Sequence, residues 1–260
     1  LVSYPSSTKE NTISGSTYKT IGVVKEELVQ DVTLTKKSLA GIQNIPYYFS
    51  GDYTIGTSVV LTIEPGVVLK FNDHSELKVN RGLIAEGSST ADSNIVFTSI
   101  RDDFYGGDSN TDGNATSPGG SYTQTWDGIN FDNQALDNLC RIKHCIIKYA
   151  GWYSNESAIT TESASPTITY STLTNNSNGV RAEGASNPLI NYCDIYDNTY
   201  YGVNNVNKAF TIDAENNWWG SDSGPTHESN TGGTGDEVSS KVDYDPYRTG
   251  TLNQTMGDVS

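Results

Sequence analysis

The chain consists largely of short runs in which apolar and polar residues alternate, a pattern typical of half-buried β-strands. From residue 47 onward these runs follow one another with almost no helical periodicity. Turn sequences such as Pro65-Gly66 separate them, because glycine adopts positive φ at low steric cost. The runs that predict strands are 53–55, 59–63, 67–71, 77–79, 83–85 and 95–97.

A longer repeat indicates how the strands are arranged. The run that begins at Pro166 recurs at Pro188, with isoleucine, tyrosine and asparagine at the same offsets about 22 residues later. A third copy places Ile142 about 26 residues before Ile168. A fixed period of this length is typical of stacked units, none of which buries its apolar side alone. We therefore predict an all-β fold, a single right-handed parallel β-helix of about three sheets and eight to ten coils with capped ends.

The predicted β-helix occupies residues 20–247, with a loop insertion at 101–122. Residues 1–19 are polar and predict an extended arm or linker, and 248–260 form a C-terminal tail.

The start of the β-helix is ambiguous in the sequence. Val32 and Leu34 alternate like strand residues, whereas Val24 and Leu28 have helical spacing. We favour strands that open the first coil, with a capping helix over 23–30 as the alternative.

Several sequence segments resemble a known family of domains. Segments 47–55, 61–71 and 95–99 resemble the opening coils of right-handed β-helix repeat domains in bacterial surface and secreted proteins. Segments 216–220 and 242–247 resemble the closing part of the same pectin-lyase-like domains. The resemblance implies the fold but no single function, since members include polysaccharide lyases, glycosidases, adhesins and structural stalks. It also implies that Trp218 and Trp219 close the C-terminal end of the core.

The composition and net charge of the chain exclude some classes of binding partner. A formal net charge of -15 argues against nucleic acid, whose phosphates need clustered Lys and Arg. Acidic polysaccharides would be repelled unless cations bridged them. No stretch approaches the roughly 20 apolar residues of a membrane span. The start at Leu1 suggests a processed piece of a longer precursor, and abundant Asn, Ser, Thr, Gly and Tyr favour an extracellular or cell-surface location.

Three cysteines, an odd number, exclude a full disulfide framework. Repeat alignment places Cys145 and Cys193 at equivalent positions, with Ser171 on the coil between them. Their sulfurs would lie about 10 Å apart, beyond disulfide reach, so we expect small buried side chains in a stack.

The insertion contains a run of oxygen-bearing side chains. Carboxylate or amide oxygens at alternate positions followed by a glycine are what Ca²⁺ requires of a binding loop. The residues of this candidate site are Asp108, Asn110, Asp112, Asn114 and Thr116.

The resemblance to a calcium loop is incomplete. Gly119 occupies the position of the usual bidentate Glu, so Asp102 and Asp103 are candidates to complete the shell. Ca²⁺ is the expected cofactor, with the role of folding the long insertion, and a solvated turn without an ion is the alternative.

Catalytic motifs of the resembled families are missing. Pectate lyases combine calcium-binding carboxylates with an arginine pair in a proline-containing motif, which is absent here. Asp102, Asp103 and the run 141–143 only superficially match polygalacturonase motifs, which also need a glycine-histidine-glycine element.

Aromatic side chains are abundant. His144 aligns with Tyr170 and Tyr192 and is expected to continue a ring stack instead of acting as a base. Trp152 and Tyr153 are candidate glycan contacts, although we favour aromatic packing in or over the core.

These observations predict a non-catalytic structural module of an extracellular surface protein or assembled appendage, stabilised by calcium. The alternatives are a carbohydrate-active enzyme, either a lyase or a hydrolase, and a glycan-binding adhesin. Expected partners are other copies of the chain, joined through strand addition by the N-terminal arm, or polysaccharide.

Overall fold

The structure is a computed structural model that describes residues 17–24, 27–90 and 92–252. The chain winds into a right-handed parallel β-solenoid of about 8 turns, as the repeat predicts. Three parallel sheets of 7, 7 and 6 strands form its walls.

The strands follow a regular order, one for each wall in every coil. The first three coils contain β1 (Ile21–Val23), β2 (Glu27–Leu28), β3 (Val32–Leu34), β4 (Tyr47–Phe49), β5 (Tyr53–Ile55), β6 (Val60–Ile63), β7 (Val68–Phe71), β8 (Glu76–Val79) and β9 (Gly82–Glu86). The next three contain β10 (Ile95–Ser99), β11 (Gly128–Phe131), β12 (Cys140–Lys143), β13 (Cys145–Lys148), β14 (Ile159–Glu162), β15 (Thr167–Thr169), β16 (Thr172–Thr174), β17 (Val180–Glu183) and β18 (Leu189–Asn191).

The last coils are less regular. They contain β19 (Asp194–Tyr196), β20 (Val203–Asn205), β21 (Ile212–Asp213), β22 (Pro225–Thr226), β23 (Gly235–Glu237) and β24 (Val242–Asp243). Two short 3-10 helices, Tyr122–Gln124 and Asp137–Leu139, lie between strands. We call the walls sheet A (β1-β4-β7-β10-β13-β16-β19), sheet B (β2-β5-β8-β11-β14-β17-β20) and sheet C (β3-β6-β9-β12-β15-β18).

Equivalent side chains stack along the solenoid axis because neighbouring strands pair in parallel register. In sheet A one inward row runs through Leu69, Phe97, Ile147, Leu173 and Ile195, all fully buried. Alternate residues on each strand face outward, so each wall has an apolar inner face and a more polar outer face.

Aromatic rings fill the wide part of the core. Phe71 stacks on Phe49 at 4.8 Å and on Trp126 at 4.2 Å between ring centroids. The Trp126 indole is fully buried, and its Nε1 donates to the Lys148 carbonyl at 2.8 Å.

The sharp corners between sheet C and sheet A share one backbone conformation. His144, Tyr170 and Tyr192 each adopt left-handed φ, between 48° and 56°, between their sheet C and sheet A strands. Their rings stack at 5.2 Å spacing, which confirms the predicted stack. Identical corners therefore place identical side chains above one another.

The cysteines are free and buried, as expected. Cys193 Nα–H donates to the Asn217 side chain at 2.7 Å, and Cys145 Nα–H donates to the Ser171 hydroxyl at 3.0 Å. Burial raises the pKa of the Cys145 and Cys193 thiols, which makes them poor nucleophiles.

The first coil agrees with the favoured expectation of strands, whereas the C-terminal end differs from the expectation in part. The described residues of the first coil form β1, β2 and β3, so strands open the fold and not a helix over 23–30. At the other end Trp219 is fully buried against the core, as predicted, whereas Trp218 is half-buried and packs outside against Tyr196 at 5.1 Å. Only the indole that faces inward closes the core.

None of the helices in the described part of the chain has the length and apolar composition that a membrane crossing needs.

Candidate functional site

The insertion 101–122 lies on the outer face of sheet A. Lys70 in β7 points outward there, beside Thr98 in the register of the sheet, and yet it is fully buried. Gly106 of the insertion packs against its side chain. The insertion therefore covers this part of the wall and removes Lys70 from solvent.

Lys70 anchors the insertion. Its ammonium donates hydrogen bonds of 2.8 Å to the carbonyls of Asp102 and Gly107. Burial lowers the pKa of Lys70 to about 8, although the carboxylates of Asp102 and Asp103 oppose that shift. A buried ammonium needs such partners, because an unpaired charge away from water is costly.

Asp102 supports the turn that begins the insertion. Its Oδ2 accepts from the Thr98 hydroxyl at 2.6 Å, and its Oδ1 accepts from the Phe104 amide at 3.0 Å. The residue is buried. Its two carboxylate oxygens are thus already engaged, and it lies outside the carboxylate group described next.

Three of the predicted calcium ligands converge. Asp103, Asp108 and Asp112 each bring one carboxylate oxygen within 4.8 Å of the others. Burial, followed by the charge of Asp108, raises the pKa of Asp103. Like charges at this distance repel, and a bound cation would relieve that repulsion.

The loop is also shaped by hydrogen bonds within itself. Asp108 accepts from the amides of Asp112 and Gly113, at 3.0 and 3.2 Å. Asp112 accepts from the Thr116 amide at 3.1 Å and from the Thr116 hydroxyl, and this side-chain bond is the main reason that the pKa of Asp112 is lowered. These two carboxylates therefore hold the turn in addition to facing one another.

Two buried oxygens, one within this group and one beside it, have no hydrogen-bond partner among the described residues. They are Asp103 Oδ1 and Asn110 Oδ1. Asn110 is oriented by its amide nitrogen, which donates to Asp112 Oδ2 at 2.8 Å. Since buried polar atoms are normally paired, unpaired oxygens next to three carboxylates fit a hard cation.

The other predicted ligands occupy different places. Asn114 is exposed and has a left-handed φ of 69°, which gives it a role in the turn. The first described residues of the chain also meet this loop, since Lys19 donates its amide to the Ser109 carbonyl at 2.8 Å and Thr111 donates its hydroxyl to the Thr17 carbonyl at 2.8 Å. Residues 1–16 of the predicted arm lie outside the described residues.

Sheet B presents a polar outer face that the sequence reasoning did not single out. The Asn130 amide nitrogen bridges two carboxylates, with 3.2 Å to Glu76 Oε1 and 3.0 Å to Glu162 Oε1. Burial raises the pKa of Glu76. Beside them Lys78 pairs with Asp132 at 2.9 Å. Three strands contribute the group, so the sequence could reveal it only after the register was known.

The candidate glycan contacts are exposed instead of packed in the core. Trp152 and Tyr153 retain 39% and 50% of their accessible surface. Both backbone amides donate to Glu156 Oε2, at 2.6 and 3.0 Å, and the Tyr153 ring contacts Tyr122 at 5.1 Å. Neither ring is buried in the core, and a glycan contact at these two residues stays a prediction.

No protein-family model matches the chain, and no significant match is found among the curated proteins or the solved structures compared with it. The architecture by itself defines the class, a parallel β-solenoid.

Proposed function

We propose that this chain is a non-catalytic structural module of an extracellular surface protein or assembled appendage, and that Ca²⁺ stabilises its insertion. The observation that supports it is the convergence of Asp103, Asp108 and Asp112 on a loop that Lys70 holds against the solenoid wall. One oxygen of this group, Asp103 Oδ1, and the neighbouring Asn110 Oδ1 are buried without a hydrogen-bond partner among the described residues. A long, rigid rod with a metal-fastened loop suits a structural role. Membership of the pectin-lyase-like superfamily, and a bacterial surface origin, form part of the same proposal.

The residues that would hold the ion are Asp103, Asp108, Asp112 and Asn110. When bound, Ca²⁺ would supply charge neutralisation and cross-linking of the loop, with water or backbone oxygens completing its shell of about 6–8 ligands. Calcium would then add to folding stability, because the unfolded chain lacks the assembled site.

The test is calorimetric unfolding with calcium and with chelator. Asp103→Asn is the sharpest variant, since it removes a charge at an unpaired oxygen and leaves the turn bonds of Asp108 and Asp112 in place. We expect calcium at about 100 times its dissociation constant to stabilise the wild type by about 2.7 kcal/mol and the variant far less.

Asp222→Asn, an exposed change outside the insertion, is the matched control and should respond to calcium like the wild type. If titration calorimetry detects no calcium binding and the unfolding midpoint is the same with ion and chelator, the metal site is excluded. The structural role would then have to stand on the solenoid alone.

A second candidate function is polysaccharide hydrolysis on sheet B. It is favoured by the two carboxylates of Glu76 and Glu162, which share one amide donor, and by the raised pKa of Glu76. A protonated carboxyl can donate a proton to a glycosidic oxygen while a second carboxylate assists water or attacks the sugar. Asp102 and Asp103 fit this role poorly as a pair, because Asp102 is buried and both of its carboxylate oxygens accept hydrogen bonds.

The two candidates predict opposite results in one assay. Sustained release of reducing ends from polysaccharide, abolished in both Glu76→Gln and Glu162→Gln, would favour the hydrolase and remove the non-catalytic role. Asp132→Asn serves as a control for general disturbance of the same face.

A further inference from the structure

A cleft of about 180 Å³ lies at the corner where sheet A turns into sheet B. Trp152 and Tyr200 form part of its lining, and each is largely exposed, at 39% and 42%. The strands that precede them, β13 and β19, are two coils apart, which corresponds to about 10 Å along the axis. The coil between them contributes Asn175 and Asn176 to the same lining.

Hydrogen bonds within the protein order the backbone on both sides of the cleft. The turn that bears Trp152 is closed by a hydrogen bond of 2.6 Å, which the Trp152 backbone amide donates to Glu156 Oε2. The Tyr200 amide donates to the Ser177 carbonyl at 2.9 Å, on the neighbouring coil. Between them lies Asn176, buried, with its side-chain nitrogen bonded to the Ile147 carbonyl at 3.1 Å. A backbone that is already ordered reduces the freedom lost on binding.

The chemistry of the lining selects the ligand. All eight lining residues are uncharged, in a chain with a net charge of -15. Asn175 and Thr199 add exposed amide and hydroxyl groups at the rim. Aromatic faces attract the C–H face of a pyranose ring, and amides and hydroxyls bond its hydroxyl groups. An anionic sugar would find no cation in this lining and would be repelled by the whole molecule.

We propose that the cleft between Trp152 and Tyr200 binds a neutral hexopyranose unit of a polysaccharide. None of its lining residues is one of the carboxylates of the candidate calcium site or of the Glu76 and Glu162 pair, although Gly119 of the insertion contributes to the lining. It extends the candidate contact at Trp152 to a second wall, Tyr200, contributed by a different coil.

The test is titration calorimetry of the full chain with three probes at millimolar concentration: cellohexaose, mannohexaose and the acidic hexagalacturonate. We expect at least one neutral probe to bind, with at least about tenfold weaker binding in Trp152→Ala and in Tyr200→Ala. Trp152→Phe, which keeps an aromatic face, should retain most of the binding. Tyr192→Ala is the matched control, since Tyr192 is equally exposed, at 41%, but stacks on Tyr170 elsewhere.

Unchanged unfolding midpoints for the alanine variants would show that loss of binding is not loss of fold. The proposal is overturned if neither neutral probe binds, if both alanine variants bind like the wild type, or if hexagalacturonate binds more tightly than the neutral probes.

Discussion

The regular coils and the inserted loop 101–122 are stabilised in different ways. In the coils every strand is paired in register, and the inner face consists of stacked apolar side chains such as Leu69, Phe97 and Ile147. The loop has no strand of its own. It is attached through the buried Lys70 ammonium, through the ion pair of Arg101 with Asp73 at 2.6 Å, and through a few hydrogen bonds such as that from the Thr98 hydroxyl to Asp102.

The coils and the loop differ in how many contacts share the stabilisation. The apolar core of a coil shares its stabilisation among many contacts that recur above and below it, and these apolar contacts do not depend on pH or ions. The loop depends on a few charged groups, so its stability should follow protonation and cation concentration. The following variants compare the two regions, from the largest expected effect to the smallest.

Phe71→Ala should cost the most. The ring is fully buried and stacks on Phe49 and Trp126, so its removal leaves a cavity in the aromatic part of the core. We expect a loss of about 3–5 kcal/mol in the free energy of unfolding, measured in urea. Phe104→Ala in the loop, where the ring is 82% exposed, should cost less than about 0.5 kcal/mol. Similar losses for the two variants would contradict the comparison.

Asn176→Ala tests the polar part of the coils. The buried amide accepts from the Ala150 amide at 3.0 Å and donates to Asn198 Oδ1 at 3.0 Å. Its loss leaves buried groups unpaired, and we expect a cost of about 2–3 kcal/mol by thermal unfolding. The outward-facing strand residue Asn204 provides the control. A small effect of Asn176→Ala would show that water replaces the hydrogen bonds of Asn176 without cost.

Lys70→Met should release the loop and leave the coils intact. Both hydrogen bonds to the carbonyls of Asp102 and Gly107 are lost, at an expected cost of about 1–3 kcal/mol. Limited proteolysis should cut the variant within 101–122 faster than the wild type, while Lys143→Met on β12 should not change the rate. Unchanged cleavage in Lys70→Met would mean that the anchor lies elsewhere.

Asp236→Asn comes last because its effect depends on pH and should vanish near about pH 4. The carboxylate accepts from Asn198 Nδ2 at 2.7 Å, and burial raises the pKa of Asp236 to about 6 from 3.8. The folded chain binds the proton of Asp236 more tightly than the unfolded chain does. Protonation therefore adds to the free energy of unfolding in full below about pH 4, and this contribution is lost as the pH rises through about 6.

The variant retains a neutral acceptor, so its unfolding midpoint should match the wild type near about pH 4. Above about pH 7 the variant should be more stable than the wild type, by on the order of 2 kcal/mol in the free energy of unfolding. A difference that stays constant across this range would show that Asp236 does not titrate in the folded chain.

The candidate sites were predictable to different degrees. Asp108 and Asp112 are close in sequence and belong to one turn, so their spacing was enough to predict that they meet. The unpaired oxygen of Asp103 and the burial of Lys70 depend on how the loop folds onto sheet A, which no local pattern encodes. Glu76, Asn130 and Glu162 come from three strands and meet only through register.

What the sequence by itself determined is the repeating architecture: strands at 53–55 and 95–97, the ring stack at His144 and the buried cysteines all follow from a period that each coil obeys independently. What only the tertiary structure decided is which outward-facing residues are covered, paired or left open. Trp152 and Trp126 are the same residue type, yet one lines an exposed cleft and the other fills the core. Inward positions repeat because each coil must bury the same apolar stripe, whereas outer positions depend on distant segments that happen to pack over them.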